Sequence, residues 1–215
     1  MAPVEPTFVI FDLGNVLVHI APEAFLQTLG IDTPDNRTYY QKKITDIVKA
    51  YERGDETTNQ FFARLDKLFN PPEASSSHRH GGNRVYSADD FRRAMLAIIG
   101  RPVAGMEEIV RNLSARVPLG LLSNTNPLHF DSCMEHLASL QFIPSHFLSY
   151  RLKSLKPDAK IFEQAVELLQ LDAGDIFYID DIRENVDAAR RVGLNGHLFV
   201  GFEDLRERLS AVKLL

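Results

Sequence analysis

The second half of the chain alternates short apolar runs with longer amphipathic stretches. Residues 117–122, 147–150, 176–179 and 197–200 are short and β-prone. Between and after them, residues 106–115, 127–140, 158–170, 185–192 and 203–212 carry apolar side chains at helical spacing. Regular alternation of strand and helix predicts a parallel sheet with helices on both faces. The largely apolar character of the runs suits strands buried on both sides. One further strand, residues 7–11, opens the chain and runs straight into Asp12.

A different pattern separates that first strand from the rest. Residues 16–20 are apolar and β-prone, and suit a small flap or hairpin arm. From Pro22 to Ile99 the spacing is helical. Ile44, Ile47, Val48 and Tyr51 share one face, as do Phe61, Leu65, Leu68 and Phe69. Breaks at residues 30–37, 53–55 and 71–83 divide this region into four helices. The expected fold is therefore α/β: a Rossmann-like parallel sheet flanked by helices, formed by residues 1–19 and 101–215. An all-helical lobe, residues 20–100, is inserted after the first strand.

Composition narrows the function classes. The chain has 215 residues, 45% of them apolar and 25% charged, which is ordinary for a globular protein. Its net charge of −5, with no basic run, speaks against a nucleic-acid partner. No apolar stretch reaches membrane-spanning length, and residues 1–6 lack the features of a signal peptide. The lone Cys133 reads as a core thiol and cannot form an intramolecular disulfide, so a cytoplasmic location is expected. The break at 71–83 is a Pro/Ser/Gly-rich loop. His78 and His80 within it have no further ligand nearby, and a mobile exposed loop is the preferred reading over metal binding.

Polar groups cluster where the strands end. The first strand ends at Asp12, the second core strand at Ser123-Asn124-Thr125-Asn126, and a later one at Asp180-Asp181. Lys156-Pro157 precedes a helix. Parallel strands point the same way, so these ends share one rim, where open α/β sheets bind ligands. A carboxylate can accept a phosphoryl group and form an acyl phosphate. Clustered aspartates suit Mg2+, Ser123 can donate to a phosphate oxygen, and Lys156 supplies a compact positive charge. Taken singly, these residues are more often helix caps or helix starts. Their order on successive strand–helix units carries the reading.

At these positions the sequence resembles the haloacid dehalogenase-like hydrolase superfamily, over essentially its whole length. The four motifs are Phe11-Asp12-Leu13-Gly14-Asn15-Val16-Leu17, Leu121-Leu122-Ser123-Asn124-Thr125-Asn126, Leu155-Lys156-Pro157-Asp158, and Tyr178-Ile179-Asp180-Asp181 followed by Asn185. The helical lobe is similar to the family's type-one cap, with Tyr51-Glu52-Arg53-Gly54-Asp55 at a turn such caps carry. The Asp-Leu-Gly-Asn-Val form is similar to a group that includes an α-D-glucose-1-phosphate phosphatase. The resemblance implies Asp12 as nucleophile and, with the Gly14 carbonyl, Asp181 and Asp180 (directly or through water), as a ligand of Mg2+. It implies Ser123 and Asn124 as phosphate holders, Lys156 as the neutralising charge, and Arg53 as a contact for a small phosphorylated substrate, a sugar phosphate being favoured. The protein is expected as a monomer or homodimer.

One departure matters. Most phosphatases of this superfamily carry an acid–base aspartate two residues after the nucleophile, where this chain has Gly14. General acid–base help is worth about 10²–10⁴-fold. His19 and Asn15 are the nearest stand-ins in sequence, and Asn15 does not titrate usefully. A metal-free dehalogenase and a phospho-ligand or partner-binding module with slowed chemistry are the alternatives. The Asp180-Asp181 pair disfavours the first, and the intact Asp12, Ser123, Lys156 and Asp181 disfavour the second.

Overall fold

A computed structural model describes residues 5–71 and 85–215. His78, His80 and nearly all of the 71–83 loop lie outside the described residues. The core is a five-stranded parallel sheet in the order β5-β4-β1-β6-β7. Its strands are β1 (Phe8–Phe11), β4 (Leu119–Ser123), β5 (Ser145–Leu148), β6 (Ile176–Asp180) and β7 (Asn195–Leu198). Strand alternation divides their side chains between the two faces. Val9, Phe11, Leu119, Leu121, Phe177 and Ile179 pack on one side, while Phe8, Ile10, Leu122, Ile176 and Tyr178 pack on the other. Both faces are covered, by α5 (Met106–Ser114), α6 (Pro127–His136) and α10 (Phe202–Ala211) on the first, and by α8 (Ala159–Leu169) and α9 (Arg183–Val192) on the second. Cys133 is buried in the first of these clusters, and burial pushes its thiol up to about 11.

Among the described residues, the helices between β1 and α5 are α1 (Ala24–Leu29), α2 (Pro34–Glu52), α3 (Thr58–Phe69) and α4 (Ala88–Leu96). They have a hydrophobic cluster of their own, built from Phe25, Tyr40, Tyr51, Phe61, Leu65 and Phe91 among others. Tyr51 stacks on Phe61 with ring centroids 4.3 Å apart. Helix α3 starts in a capping box between Thr57 and Gln60, and α4 in one between Ser87 and Asp90. Among the described residues, no helix is long and apolar enough to cross a membrane.

Several expectations shift. The strand expected at 147–150 runs over Ser145–Leu148, and Ser149 and Tyr150 already belong to a helical turn. The helical region expected to run to Ile99 ends at Leu96, and Ile99–Pro102 form β3, which pairs antiparallel with β2 (Val18–Ile20). The expected arm at 16–20 thus finds its partner 80 residues downstream, in a Gly-Pro segment without strand alternation. The break at 30–37 is shorter than expected. Thr33 caps α2 by accepting from the Asn36 amide, with Pro34 at the first helical position, so residues 34–37 are already helical. At the last strand the pairing uses Asn195–Leu198 rather than 197–200, because the apolar residues Phe199 and Val200 follow the strand instead of forming it.

The turn between α2 and α3 docks on the sheet side of the molecule. Gly54 has φ +74°, and a Cβ there would lie 2.2 Å from the Tyr150 carbonyl oxygen. Tyr150 belongs to the single helical turn α7 (Ser149–Leu152) after β5. The Ser149 hydroxyl donates to the Glu52 carbonyl at 2.6 Å, and Lys153 Nζ donates to the Gly54 carbonyl. A Gly54→Ala change therefore meets both a left-handed backbone and a backbone clash. It is expected to lower the melting temperature by about 2–8 °C, corresponding to about 1–2 kcal/mol. Gly174→Ala, where a Cβ meets nothing within 4 Å, is the control and is expected to leave stability within about 0.5 kcal/mol.

Candidate active site

The order of the sheet brings the polar strand ends together. β1 lies between β4 and β6, so Asp12, Ser123 and Asp180 sit on adjacent strand ends. The carboxylates of Asp12, Asp180 and Asp181 each offer an oxygen within 4.8 Å of the others. Lys156, just before α8, reaches into this group. Its Nζ lies 2.7 Å from Asp12 Oδ1 and 2.7 Å from Asp180 Oδ2, and donates to the Leu122 carbonyl at 3.0 Å. Burial lowers the proton affinity of Lys156, but the two carboxylates outweigh it and raise it above the usual lysine value. Burial pushes the Asp12 carboxyl up to about 7 against the pull of Lys156 and of the Leu13 amide, which donates to Oδ1 at 2.7 Å.

The three aspartates differ in what remains open. Asp180 is fully buried and saturated. Its Oδ1 accepts from the Ile182 amide at 2.8 Å, and its Oδ2 from Lys156 and from the Tyr178 hydroxyl. Asn185 Nδ2 lies 3.1 Å from both oxygens. Asp12 Oδ2, by contrast, has no hydrogen-bond donor among the described residues. Asp181 is held by a single side chain, Asn15, whose Nδ2 donates to Oδ2 at 3.2 Å. Asn15 has φ +54°, a left-handed conformation that asparagine tolerates better than most residues. Burial and the nearby Asp180 raise the Asp181 carboxyl, and the Asn15 hydrogen bond works against them.

Ser123 ends β4 and is buried, and its hydroxyl has no hydrogen-bond partner among the described residues. Asn124 does something the sequence did not suggest. Its Nδ2 donates to the Lys156 carbonyl at 3.0 Å, and its Oδ1 accepts from the Lys156 amide at 2.8 Å. Its amide thus holds the loop that carries the lysine. Other supports also escaped the sequence reading: the Tyr178 hydroxyl, Ser149 and Asn15 as an orienting residue. A single serine or tyrosine has no pattern to expose it. Asn15 could have been suspected from its position after glycine in a tight turn.

A cavity of about 660 Å³ opens above this floor. Gly14, Ser123, Asn124 and Thr125 line its base, and side chains of α1, α2 and α4 form its walls. Arg53, expected to face a substrate, does not line it. Its guanidinium pairs with Asp55 at 2.8 Å and is about half exposed. The residue before it, Glu52, does face the cavity, and burial pushes its carboxyl up to about 8 despite Lys49 and Lys156 nearby. Strand alternation in β2 sends Val18 and Ile20 to the cavity, while His19 between them is exposed and outside the lining. A Cβ on Gly14 would lie 3.2 Å from Ile20 Cδ1, so the isoleucine covers the position where an acid–base aspartate would stand.

Comparison with known proteins agrees with this geometry. The family model for haloacid dehalogenase-like hydrolases matches residues 7–193. A D-ribitol-5-phosphate phosphatase from Bacteroides thetaiotaomicron is 23% identical over 95% of this chain and 97% of its own. A drimenol cyclase from Aspergillus calidoustus is 22% identical over 94% of this chain, which spans 36% of that protein. A haloacid dehalogenase-family enzyme from B. thetaiotaomicron superposes with a TM-score of 0.80 at 19% identity, covering 96% of this chain and 99% of that one. The same enzyme has also been solved in complex with magnesium and inorganic phosphate (TM-score 0.76, 19% identity, 94% of this chain and 98% of that one). The motifs at the strand ends and the match over most of its length make this chain a member of the haloacid dehalogenase-like hydrolases.

Proposed function

We propose that the protein is a Mg2+-dependent phosphatase that hydrolyses a small phosphomonoester through an aspartyl phosphate on Asp12. The observation that carries this reading is the floor of the cavity. Ser123, whose hydroxyl is free, and Gly14 line that floor, and beside them Asp12, with one unpaired oxygen, clusters with Asp180 and Asp181 around the buried Lys156. Oxygen donors at this spacing suit a hard divalent cation. Asp12, Asp181 and the Gly14 carbonyl would hold it. Asp180 acts one step behind, since every direct ligand bond it made would displace a hydrogen bond it already accepts. When bound, Mg2+ supplies positive charge that screens the carboxylates from an anionic phosphate. The magnesium and phosphate bound to the B. thetaiotaomicron enzyme support the same assignment.

In this reading Asp12 Oδ2 attacks phosphorus and the alcohol oxygen leaves. Lys156 stays protonated and stabilises both the attacking carboxylate and the charge on the transferring group. Ser123 donates to a phosphate oxygen, and Asn124 keeps Lys156 in reach. Helices α1–α4 act as the cap that excludes water. A metal-free dehalogenase is disfavoured, because three clustered carboxylates would then repel one another with only one lysine between them. The phosphate is common to all candidate substrates. A sugar phosphate, expected from the resemblance, draws support from the ribitol-phosphate relative and none from the walls of the cavity.

Purified protein is expected to release phosphate from a broad panel of phosphomonoesters only with Mg2+, and to stop when a chelator is added. Asp12→Asn should cost on the order of 10³-fold or more. No turnover on sugar, nucleotide and alkyl phosphates, or an Asp12→Asn protein as active as the original, would refute the reading. Lys156→Ala leaves Asp12 and Asp180 buried without their counter-charge. It is expected to abolish activity and to cost about 3 kcal/mol or more of stability, a fall of about 10 °C in melting temperature by calorimetry.

A further inference from the structure

The walls of the cavity carry information about the alcohol half of the substrate. Immediately above Gly14 and Ser123 they are made of Val18, Ile20, Phe25, Leu26, Met95 and Ile99. Helix α2 adds Ile44 and Val48, one turn apart. Apart from Ser123 at the base and Glu52 at the end of α2, the polar groups in the lining are occupied or exposed. Both ring nitrogens of His129 are engaged, with Asn126 and with the Met95 carbonyl, and burial lowers its pKa to about 4, so it stays neutral. The Thr45 hydroxyl donates to the Gln41 carbonyl, and Arg37 is held by Asp32. Glu23, Gln41 and Lys49 are exposed. A polyol in this space would bury hydroxyls against hydrocarbon, at a cost for each one left without a partner.

We infer that the cavity takes a phosphomonoester whose alcohol has a hydrocarbon body, aliphatic or aromatic, rather than a sugar. This deepens the phosphatase reading and rests on it only for turnover, not for binding. The test is a homologous series: ethyl, butyl and hexyl phosphate, with ribitol 5-phosphate and glucose 1-phosphate beside them. Each buried methylene should raise kcat/KM about four-fold, from about 0.8 kcal/mol per methylene. Hexyl phosphate should exceed both polyol phosphates at least ten-fold. A flat series, or a polyol phosphate that is preferred, overturns the inference. The corresponding alkylphosphonates, titrated by calorimetry with Mg2+, separate the two readings. Affinity that rises with chain length in a protein without turnover keeps the hydrocarbon chamber and refutes the phosphatase. Affinity independent of chain length refutes the chamber whatever the turnover.

A separate observation concerns the proton that Gly14 cannot carry. Glu52 is the last residue of α2, and its side chain lines the cavity that Ser123 and Gly14 floor. Its backbone is tied to the phosphate side of the site: Ser149 Oγ donates to the Glu52 carbonyl and also contacts Thr125, accepting from its amide at 3.0 Å. The charged groups acting on Glu52 are Lys49 on its own helix and Lys156 from the core. The neutral His129 lines the same space, and Arg37 and Glu23 stand toward the mouth. We propose that Glu52 is the general acid and base of the reaction, supplied by the helical layer instead of the nucleophile loop. Its carboxyl protonates the departing alkoxide as the Asp12–phosphorus bond forms. Its carboxylate then takes a proton from the water that breaks that bond and returns Asp12 and phosphate.

A carboxyl raised to about 8 is protonated at neutral pH, as a donor must be. Turnover of an alkyl phosphate should therefore fall as pH rises through about 8, and Glu52→Gln should remove that limb. Glu52→Gln should slow hexyl phosphate about 10²-fold or more. With p-nitrophenyl phosphate, whose leaving group needs no proton, it should still give a full burst of one nitrophenolate per protein, followed by slow turnover. A role confined to structure would slow burst and turnover together and spare the pH limb, and that result overturns the assignment. An unmodified protein without turnover refutes the phosphatase and Glu52 together, whereas normal turnover with unchanged Glu52→Gln kinetics refutes Glu52 alone.

Discussion

The site depends on one buried ammonium. Lys156 lies between Asp12 and Asp180 at 2.7 Å from each, and all three side chains are buried. Without it, carboxylates gathered at the ends of adjacent strands would repel one another and pay the full cost of burial. With it, two of them are neutralised in part and a third, Asp181, can stand beside them. The attraction works only because the lysine cannot drift. Asn124 grips its backbone on both sides, and the Leu122 carbonyl accepts a hydrogen bond from its ammonium. The ends of β4, β1 and β6 and the loop before α8 are thereby locked into one rigid floor.

That floor divides labour among groups of the same chemical type. Asp180 spends both oxygens on Lys156, Tyr178, Asn185 and the Ile182 amide, so it serves orientation. Asp12 keeps one oxygen open, and Asp181 is steered by Asn15 alone. The distinction follows from depth. Asp180 is the last residue of a central strand, where every polar atom must be satisfied within the protein, whereas Asp181 is only half buried. A reading based on residue type treats the pair as equivalent. Burial makes them different.

The same contrast explains what could be read from the chain alone. The sheet was legible because β1, β4 and β6 are apolar on both faces, and each ends in a polar residue that nothing in a buried strand would otherwise justify. Edge elements were less so. β3 contains Gly100 and Pro102 and exists because β2 pairs with it, a contact invisible to any local window. β7 starts in Asn195-Gly196, which reads as a turn, yet Gly196 is fitted closely against Val186 of α9. At the candidate site, Asp12, Ser123 and Asp181 drew attention by strand-end position and Lys156 by its place before a helix. Arg53 drew attention through its charge, but one residue along a helix end rotates a side chain by about 100°. That rotation sends Arg53 to Asp55 and leaves Glu52 facing the cavity.

Helix α2 makes the cavity and the helical cluster interdependent. Tyr40, Ile47 and Tyr51 are buried in that cluster, while Ile44 and Val48 pack against it and, with Glu52, also line the cavity. Ile44 and Val48 thus serve the packing of the cluster and the wall of the cavity at once. The register of α2 there is set at the C-terminal end, where Ser149 and the left-handed Gly54 fasten the turn to α7. Any movement of α2 relative to the sheet must pass through that fastening. The carboxyl of Glu52 and the walls that surround an alcohol would then move together. In the proposed reaction, selection of the substrate and delivery of a proton to it would both fall to this one helix and its anchor.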